Sequence, residues 1–190
     1  YDSKFHNLKI QRKLYLDGYW QSEKYFYDIK DQIRKDFEIK RPLDQKLIDI
    51  RNRIKSSNSV CMHVRRFDLD TKNRNSHEYT LGNNYYINAM EEIKNKVDNP
   101  IFFVFGEQDE LLNKNIKSSN NCSFIENNKE FEDLYLMSQC KHAIISNSSF
   151  AWWGAWLNVN PQKIILTSDP IIYSQNKDYY PTNKNYKIIY

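Results

Sequence analysis

The sequence has few glycines and prolines, the residues typical of turns and loops, and few cysteines, which can crosslink a chain. It contains 4 glycines, 5 prolines and 3 cysteines in 190 residues. So little glycine and proline favours a globular over a disordered chain. Cys61, Cys122 and Cys140 are widely spaced without a CxxC pair, which favours neither a disulfide framework nor a zinc knuckle. This cysteine usage is typical of a reducing cytoplasm.

Long apolar runs and a strong charge of one sign are also missing. No segment approaches the ~20 apolar residues of a transmembrane helix. The 28 basic and 24 acidic residues are interspersed and give a net charge of +4, which predicts no stripe for nucleic acid. We expect a cytoplasmic protein whose lysine-rich surface is compatible with peripheral contact at the inner face of the membrane.

Several catalytic signatures are absent as well. The chain contains no GxGxxG, GKT, GxSxG, HxxxH or HExxH. The first three absences remove the ordinary signatures of dinucleotide binding, P-loop hydrolysis and serine esterase chemistry, and without the last two the histidines other than His63 are expected to be isolated surface or core residues. The chain has instead 14 tyrosines and 10 phenylalanines, which supply core volume. Its length suits one well-cored domain.

Apolar periodicity predicts alternating strands and helices. The predicted helices cover residues 22–37, 44–55, 84–97, 109–116, 131–139 and 149–157, and the predicted strands cover 60–64, 101–105, 123–125, 142–146 and 163–166. The polar stretch 70–83 has no periodicity and predicts a loop. This alternation predicts an α/β fold with a Rossmann-like, doubly wound parallel sheet.

The first candidate site follows the strand predicted at 60–64. His63, Arg65, Arg66 and Asp68 lie at its C-terminal end, where open α/β sheets bind their ligands. Strand alternation favours Arg65 as the arginine that faces the ligand, with Arg66 assisting. The two guanidinium groups would neutralise a diphosphate while Asp68 holds them by charge-assisted hydrogen bonds. An ordinary surface pair of arginine and aspartate is the alternative interpretation.

The second candidate site follows the strand predicted at 142–146. Asn147, Ser148 and Ser149 begin the next helix, so backbone N–H groups and hydroxyls there suit a phosphate in the same crevice. One serine could instead serve only as the helix cap. Small residues in this helix are predicted to let it approach the sheet closely: Ala151, Gly154 and Ala155.

A metal site is the competing interpretation of the first motif. Asp68 and Asp70 form a DxD pattern, which would hold a divalent cation in a metal-dependent glycosyltransferase. Hard cations require several oxygen ligands, and the adjacent Arg65 and Arg66 already supply positive charge. The sequence therefore favours a site without a metal.

Four ordered motifs resemble those of bacterial α-1,2-fucosyltransferases. They are YLDGYWQS at 15–22, HVRRFD at 63–68, DLYLMSQC at 133–140 and NSSFAWWGAWLN at 147–158. The similarity spans nearly the whole chain but covers the nucleotide-sugar half of such an enzyme, without its acceptor-side Gly-Asn-Gln segment. The resemblance implies the C-terminal donor domain of a GT-B glycosyltransferase at 21–190, with 1–20 as a linker from an N-terminal domain.

The resemblance also implies a reaction. L-Fucose would pass from GDP-fucose to the 2-hydroxyl of a galactose-containing acceptor, with inversion and without a cofactor or metal. The implied donor-binding residues are Arg65, Arg66, Asn147, Ser148, Ser149, Gly106 and Glu107, and the implied catalytic residues are Arg65, His63 and Asp68. The general base is open between His63, Asp68 and a group outside this half. A nucleotide-sugar-binding half-enzyme without activity of its own is the alternative.

The chain departs from the family pattern at two positions. Phe67 stands where glycine usually follows the twin arginines. Gly106-Glu107-Gln108 stands where Ser-Asp-Asp usually follows the apolar strand. The second departure falls where the resemblance implies contacts with guanine or ribose, near Glu107.

Overall fold

One parallel sheet organises the described part of the chain. The computed structural model describes residues 3–9, 13–15, 17, 20, 22–66, 80–107, 116, 121–168 and 186–188. Six strands lie within these ranges: β1 Asn58–Val64, β2 Pro100–Gly106, β3 Cys122–Phe124, β4 His142–Ile145, β5 Ile165–Thr167 and β6 Tyr186–Ile188. Their order is β3-β2-β1-β4-β5-β6 and every pairing is parallel. The predicted α/β fold with a Rossmann-like parallel sheet is confirmed.

Five α-helices accompany the strands in the described ranges: α1 Lys30–Asp36, α2 Gln45–Lys55, α3 Asn83–Lys94, α4 Glu130–Gln139 and α5 Ser149–Leu157. Helices α2 to α5 confirm the predictions to within a few residues, and α5 matches its predicted bounds. β6 was not predicted. Most of the helix predicted at 109–116 and of the loop predicted at 70–83 lies outside the described residues.

The single helix predicted over 22–37 is wrong. Two short 3₁₀ turns, Glu23–Tyr25 and Tyr27–Ile29, precede α1. Between them Phe26 has φ −138° and ψ 21°, outside the helical region. Its ring stacks on Trp153 at a centroid distance of 5.4 Å and meets Trp156 edge-on at 5.2 Å. Burying Phe26 among the tryptophans of α5 thus prevails over the local helical periodicity.

The central strands β1, β2 and β4 are buried on both faces. Cys61, Phe103 and Ala143 pack into a cluster with α2, α4 and α5, whereas their neighbours Met62 and Phe102 pack into a second cluster with α3. Successive strand residues therefore point to opposite helix layers, as the period of two requires. This explains why the strands are continuous apolar runs.

The prediction that Gly154 lets α5 approach the sheet is wrong. A Cβ at this position would lie 2.7 Å from Cε and 3.2 Å from Cβ of Met137, so the missing side chain makes room for α4 rather than for the sheet. Ala151 and Ala155 are fully buried in the core cluster between the helices and the sheet. The small residues thus divide between two contacts of α5.

The strand order locates the crevice. From β1 the chain moves outward to β2 and β3, and β4 then returns to the opposite side of β1. The direction reverses between β1 and β4, which is where open α/β sheets bind ligands at the carboxyl ends of their strands. Both predicted motifs follow strands at this switch point.

Candidate functional site

Adjacent strands carry the predicted site residues to one edge of the sheet, which we call the site edge. β1 leads to His63, Arg65 and Arg66, and β2 leads to Gly106 and Glu107. β4 leads to the second motif, and it pairs with β1 on the side opposite β2. The fold therefore brings the two motifs together, as predicted. Asp68 lies outside the described residues.

His63 is buried and bonded across the switch point. Only 5% of the residue is exposed, and its Nδ1 lies 2.8 Å from Oγ of Ser146, which follows β4. The imidazole ring also packs beside Phe150 at 5.7 Å between centroids. Burial, and then the charge of Arg65, lower the pKa of His63 from 6.5 to about 4. The imidazole is therefore neutral at pH 7.

Glu107 connects the two arginines. Its Oε1 accepts a hydrogen bond from Nη1 of Arg65 at 2.6 Å, and its Oε2 accepts one from the backbone N–H of Arg66. About one third of each side chain in the Arg65–Glu107 ion pair is exposed. In the described part of the chain, Glu107 performs the orienting role that the sequence assigned to Asp68.

Gly106 has a structural role in addition to its predicted contact with the nucleotide sugar. Its φ of +95° lies in the left-handed region, and a Cβ there would lie 2.1 Å from the carbonyl oxygen of Val64. The following amide, that of Glu107, donates to the same oxygen at 3.1 Å. Glycine thus lets the chain turn back toward β1 and bring Glu107 to Arg65.

The start of α5 supplies polar groups to the same edge. Ser148 is the N-cap, and its Oγ accepts a long hydrogen bond of 3.5 Å from the N–H of Ala151. The hydroxyl of Ser149 has no hydrogen-bond partner among the described residues. Oδ1 of Asn147 accepts a hydrogen bond from the hydroxyl of Ser168, which follows β5. The expected capping serine is therefore Ser148.

Three supporting residues escaped the sequence analysis. Ser146 and Ser168 hold His63 and Asn147, and the hydroxyl of Tyr85 donates to the carbonyl oxygens of Ile145 at 2.7 Å and Leu166 at 3.3 Å. The two serines had a usable signal, since each follows directly or closely on a buried apolar strand. Tyr85 had none, because its position on the apolar face of α3 predicts a core residue.

Neither a metal cluster nor a membrane span occurs in the part of the chain that the structure describes. No three His, Cys, Asp or Glu side chains within those ranges could together hold a metal ion. Asp68 and Asp70 fall outside them. No helix in the same ranges is both long and apolar enough to cross a membrane.

The sequence matches known proteins over most of its length. The family model described as Glycosyl transferase family 11 matches residues 1–187. An α-1,2-colitosyltransferase of Escherichia coli is 36% identical over 174 residues, which are 88% of this chain and 59% of that protein. The O-antigen biosynthesis glycosyltransferase WbnK of Escherichia coli is 29% identical over 90% of this chain and 59% of its own. The chain thus spans about three fifths of the length of these two relatives.

More distant similarities exist to animal and structurally characterised enzymes. Galactoside α-(1,2)-fucosyltransferase 1 of Plecturocebus brunneus is 28% identical over 76% of this chain and 43% of its own. The crystal structure of NodZ α-1,6-fucosyltransferase soaked with GDP-fucose aligns with a TM-score of 0.43 and 11% identity over 76% of this chain and 62% of that chain. NodZ from Bradyrhizobium aligns with a TM-score of 0.42 and 14% identity over 76% and 61%.

Proposed function

The chain belongs to glycosyl transferase family 11, and from this membership we propose that it transfers L-fucose from GDP-fucose to the 2-hydroxyl of a galactoside. The relatives named for α-1,2-transfer of colitose and fucose support this linkage and acceptor position. The observation that carries the proposal is the meeting of Arg65 and the N-terminus of α5 at the switch point of the sheet.

The arrangement suits departure of a nucleoside diphosphate. In the reaction the bond between fucose C1 and the β-phosphate oxygen breaks while the acceptor oxygen approaches from the opposite face, which inverts the anomeric centre. Negative charge grows on the β-phosphate as the bond breaks. Arg65, with Arg66 and the first-turn N–H groups of α5, would bind that charge. Because the fold already holds these hydrogen-bond donors in place, they need no reorganisation during the reaction and lower its activation free energy.

Glu107, Asn147 and Ser149 would complete the donor site. Glu107 keeps the Arg65 guanidinium at the end of β1 through the 2.6 Å ion pair. Ser149 offers a hydroxyl that no described residue engages, and Asn147 is held by Ser168. Gly106 contributes by its backbone conformation. The hydroxyl of Ser148 caps helix α5. Ser148 would therefore contribute its backbone N–H to donor binding.

The acceptor proton must also leave. A general base works best when its pKa lies near the working pH, and the pKa of about 4 makes His63 a weak base at neutral pH. We therefore assign hydrogen bonding rather than proton abstraction to His63. Asp68 remains the candidate base within this chain.

The proposed reaction needs no metal, because Arg65 and Arg66 supply the positive charge that a cation would bring to the diphosphate. The rival is a metal-dependent enzyme built on Asp68 and Asp70. Chelation separates the two, since it would abolish turnover by the rival and leave the proposed reaction unchanged.

Colitose is a second candidate donor sugar, because the relative with 36% identity is a colitosyltransferase. Colitose is L-fucose without its 3-hydroxyl. A site that hydrogen-bonds this hydroxyl would reject the deoxy sugar strongly, whereas a site that leaves it in solvent would accept both. Comparing kcat/KM for the two GDP-sugars decides between them.

One of the same relatives supports a setting for the reaction. The O-antigen glycosyltransferase among them favours a role in bacterial polysaccharide synthesis. We propose that the protein acts in the cytoplasm, with peripheral contact at the inner face of the membrane where such glycans are assembled. Sedimentation with vesicles of anionic lipid tests that contact.

The function is tested by calorimetric titration of the chain with GDP, GDP-fucose and UDP, with and without chelator. We expect GDP-selective, chelator-insensitive binding that Arg65→Ala weakens strongly, and turnover that falls on the order of a hundredfold in this variant. Arg53→Ala is the matched control, because Arg53 bonds Ser123 on the α2 side, away from the candidate site. UDP-selective binding that needs a metal would overturn the proposal. GDP-fucose binding without transfer to any galactoside would favour the inactive half-enzyme.

A further inference from the structure

We propose that Ser146 is a positioning residue that fixes the tautomer of His63. In this tautomer the proton is on Nε2. His63 therefore offers an N–H group that can donate a hydrogen bond to the anionic diphosphate of the nucleotide sugar. The identity of that ligand rests on the proposed function. The bond between Ser146 and His63 stands on the geometry of the fold alone.

The hydrogen bond joins two strands at the point where their backbone pairing ends. The last paired residues of β1 and β4 are Met62 and Ile144. His63 comes one residue later on β1, and its Nδ1 lies 2.8 Å from Oγ of Ser146. Both residues are buried, with 5% and 4% of their surfaces exposed. Side chains thus continue the connection between the strands into the crevice.

The second ring nitrogen faces the other neighbouring strand. A Cβ built on Gly106 would lie 3.4 Å from Nε2 of His63. The imidazole therefore extends from the end of β4, where Nδ1 is bonded, toward the end of β2, where Glu107 begins the ion pair with Arg65. Nε2 is therefore the ring nitrogen on the side of the Arg65–Glu107 ion pair.

The charge state of the ring makes its tautomer matter. Burial and the nearby Arg65 lower the pKa of His63 to about 4, so at neutral pH the ring has one donor and one acceptor nitrogen. A serine hydroxyl can either donate to Nδ1 or accept from it. In the proposed arrangement the Ser146 hydroxyl donates to Nδ1, and the ring proton resides on Nε2. A site that binds a polyanion needs donors, and this tautomer supplies one where the reverse tautomer would place a lone pair. Without the hydroxyl, the hydrogen bond that favours this tautomer in the proposed arrangement is lost.

The tautomer can be measured directly on the intact chain. Long-range proton–nitrogen NMR of the His63 ring distinguishes a protonated Nε2 from a protonated Nδ1, and it needs no nucleotide. We expect a protonated Nε2 in the wild-type protein, a mixture of both tautomers in Ser146→Ala, and the wild-type state in Ser146→Thr, which keeps the hydroxyl. A wild-type ring protonated on Nδ1 would overturn the proposal.

Nucleotide binding supplies the functional readout. Ser146→Ala should weaken GDP binding about tenfold, as loss of an orienting partner often does, and Ser146→Thr should restore most of it. The matched control is Ser59→Ala, which removes a serine that is 0% exposed and accepts from the N–H of Lys141 at 3.1 Å, at the start of β1. Both alanine variants should lower Tm by similar amounts, whereas only Ser146→Ala should weaken GDP binding.

The two readouts separate the two proposals. Equal GDP affinities for Ser146→Ala and Ser59→Ala would reduce Ser146 to a stability role and overturn its assignment as a positioning residue. A folded wild-type chain that binds no GDP would overturn the proposed function. The NMR result would still decide whether Ser146 selects the tautomer of His63.

Discussion

The two edges of the sheet use polar residues differently. At the site edge, three hydrogen bonds join side chain to side chain, namely His63 to Ser146, Arg65 to Glu107 and Ser168 to Asn147, beside bonds to the backbone such as that of Tyr85. At the opposite edge, which we call the distal edge, polar groups chiefly join side chain and backbone. There Asn58 donates to the Asp98 carbonyl at 2.7 Å, and Asn158 donates to the Cys140 carbonyl at 2.6 Å.

The hydrogen bonds at the two edges differ in what they hold in place. Bonds from side chain to backbone satisfy the carbonyl groups of turns and helix ends, and Lys163 is a clear case, with Nζ donating to the carbonyls of Ala155 at 3.0 Å and Asn158 at 2.6 Å. Bonds between side chains are the less common kind in proteins, and they fix the orientation of functional groups. The bonds of the distal edge therefore stabilise the fold, whereas those of the site edge would hold the side chains of the proposed donor site in place.

The largest expected effect comes from the glycine that shapes the site edge. Gly106→Ala should lower the free energy of unfolding by about 3 kcal/mol or more, because it adds left-handed strain to an overlap with the Val64 carbonyl. Gly82→Ala is the control, since a Cβ there meets nothing within 4 Å, and it should cost about 1 kcal/mol at most. Urea denaturation measures both. Similar costs for the two variants would show that the turn after β2 is not the constraint described.

Acid should affect the two edges unequally through their histidines. The pKa of His63 is lowered to about 4 in the folded chain, so the unfolded chain binds the extra proton first as pH falls. This loss of stability begins near pH 6.5, is complete below about pH 4 and amounts to about 3 kcal/mol. His142, at the distal edge, has a pKa that is also lowered by burial, but it is half-buried and its contribution should be smaller.

Denaturation curves between pH 7 and pH 4 check this expectation. His63→Gln should remove most of the pH dependence in that range, and His142→Gln should remove a minor part. If the two substitutions flatten the curve equally, the electrostatic contrast between the edges is wrong.

The smallest effect on stability is expected for the ion pair of the site edge. Glu107→Gln should cost at most about 1 kcal/mol, because the pair is one third exposed and solvent screens it. It should nevertheless weaken GDP binding roughly tenfold, since the charge-assisted bond that holds Arg65 is lost. Glu91→Gln breaks a comparable exposed pair, with Lys94 at 2.7 Å, and should leave binding unchanged. Tighter GDP binding in Glu107→Gln would mean that Glu107 competes with the diphosphate instead of orienting Arg65.

Local patterns predicted most of the fold. The apolar runs that became β1, β2 and β4 and the periodic segments that became α2 to α5 contain their own signals. The helix predicted over 22–37 failed because Phe26 is buried by tryptophans more than 120 positions away, a contact that no local window contains. Gly154 was assigned to the wrong neighbour for the same reason, since helix packing partners are not encoded by spacing.

The candidate site divides along the same line. Sequence alone determined which residue types stand at the ends of the strands, because the switch from apolar to polar residues is local and a parallel sheet collects strand ends at one edge. Tertiary structure alone decided their pairing: Glu107 holds Arg65 from 42 positions away, and Ser146 holds His63 from 83 positions away. The physical reason is that charge pairing and burial depend on distances in space, which exist only once β2, β1 and β4 lie side by side.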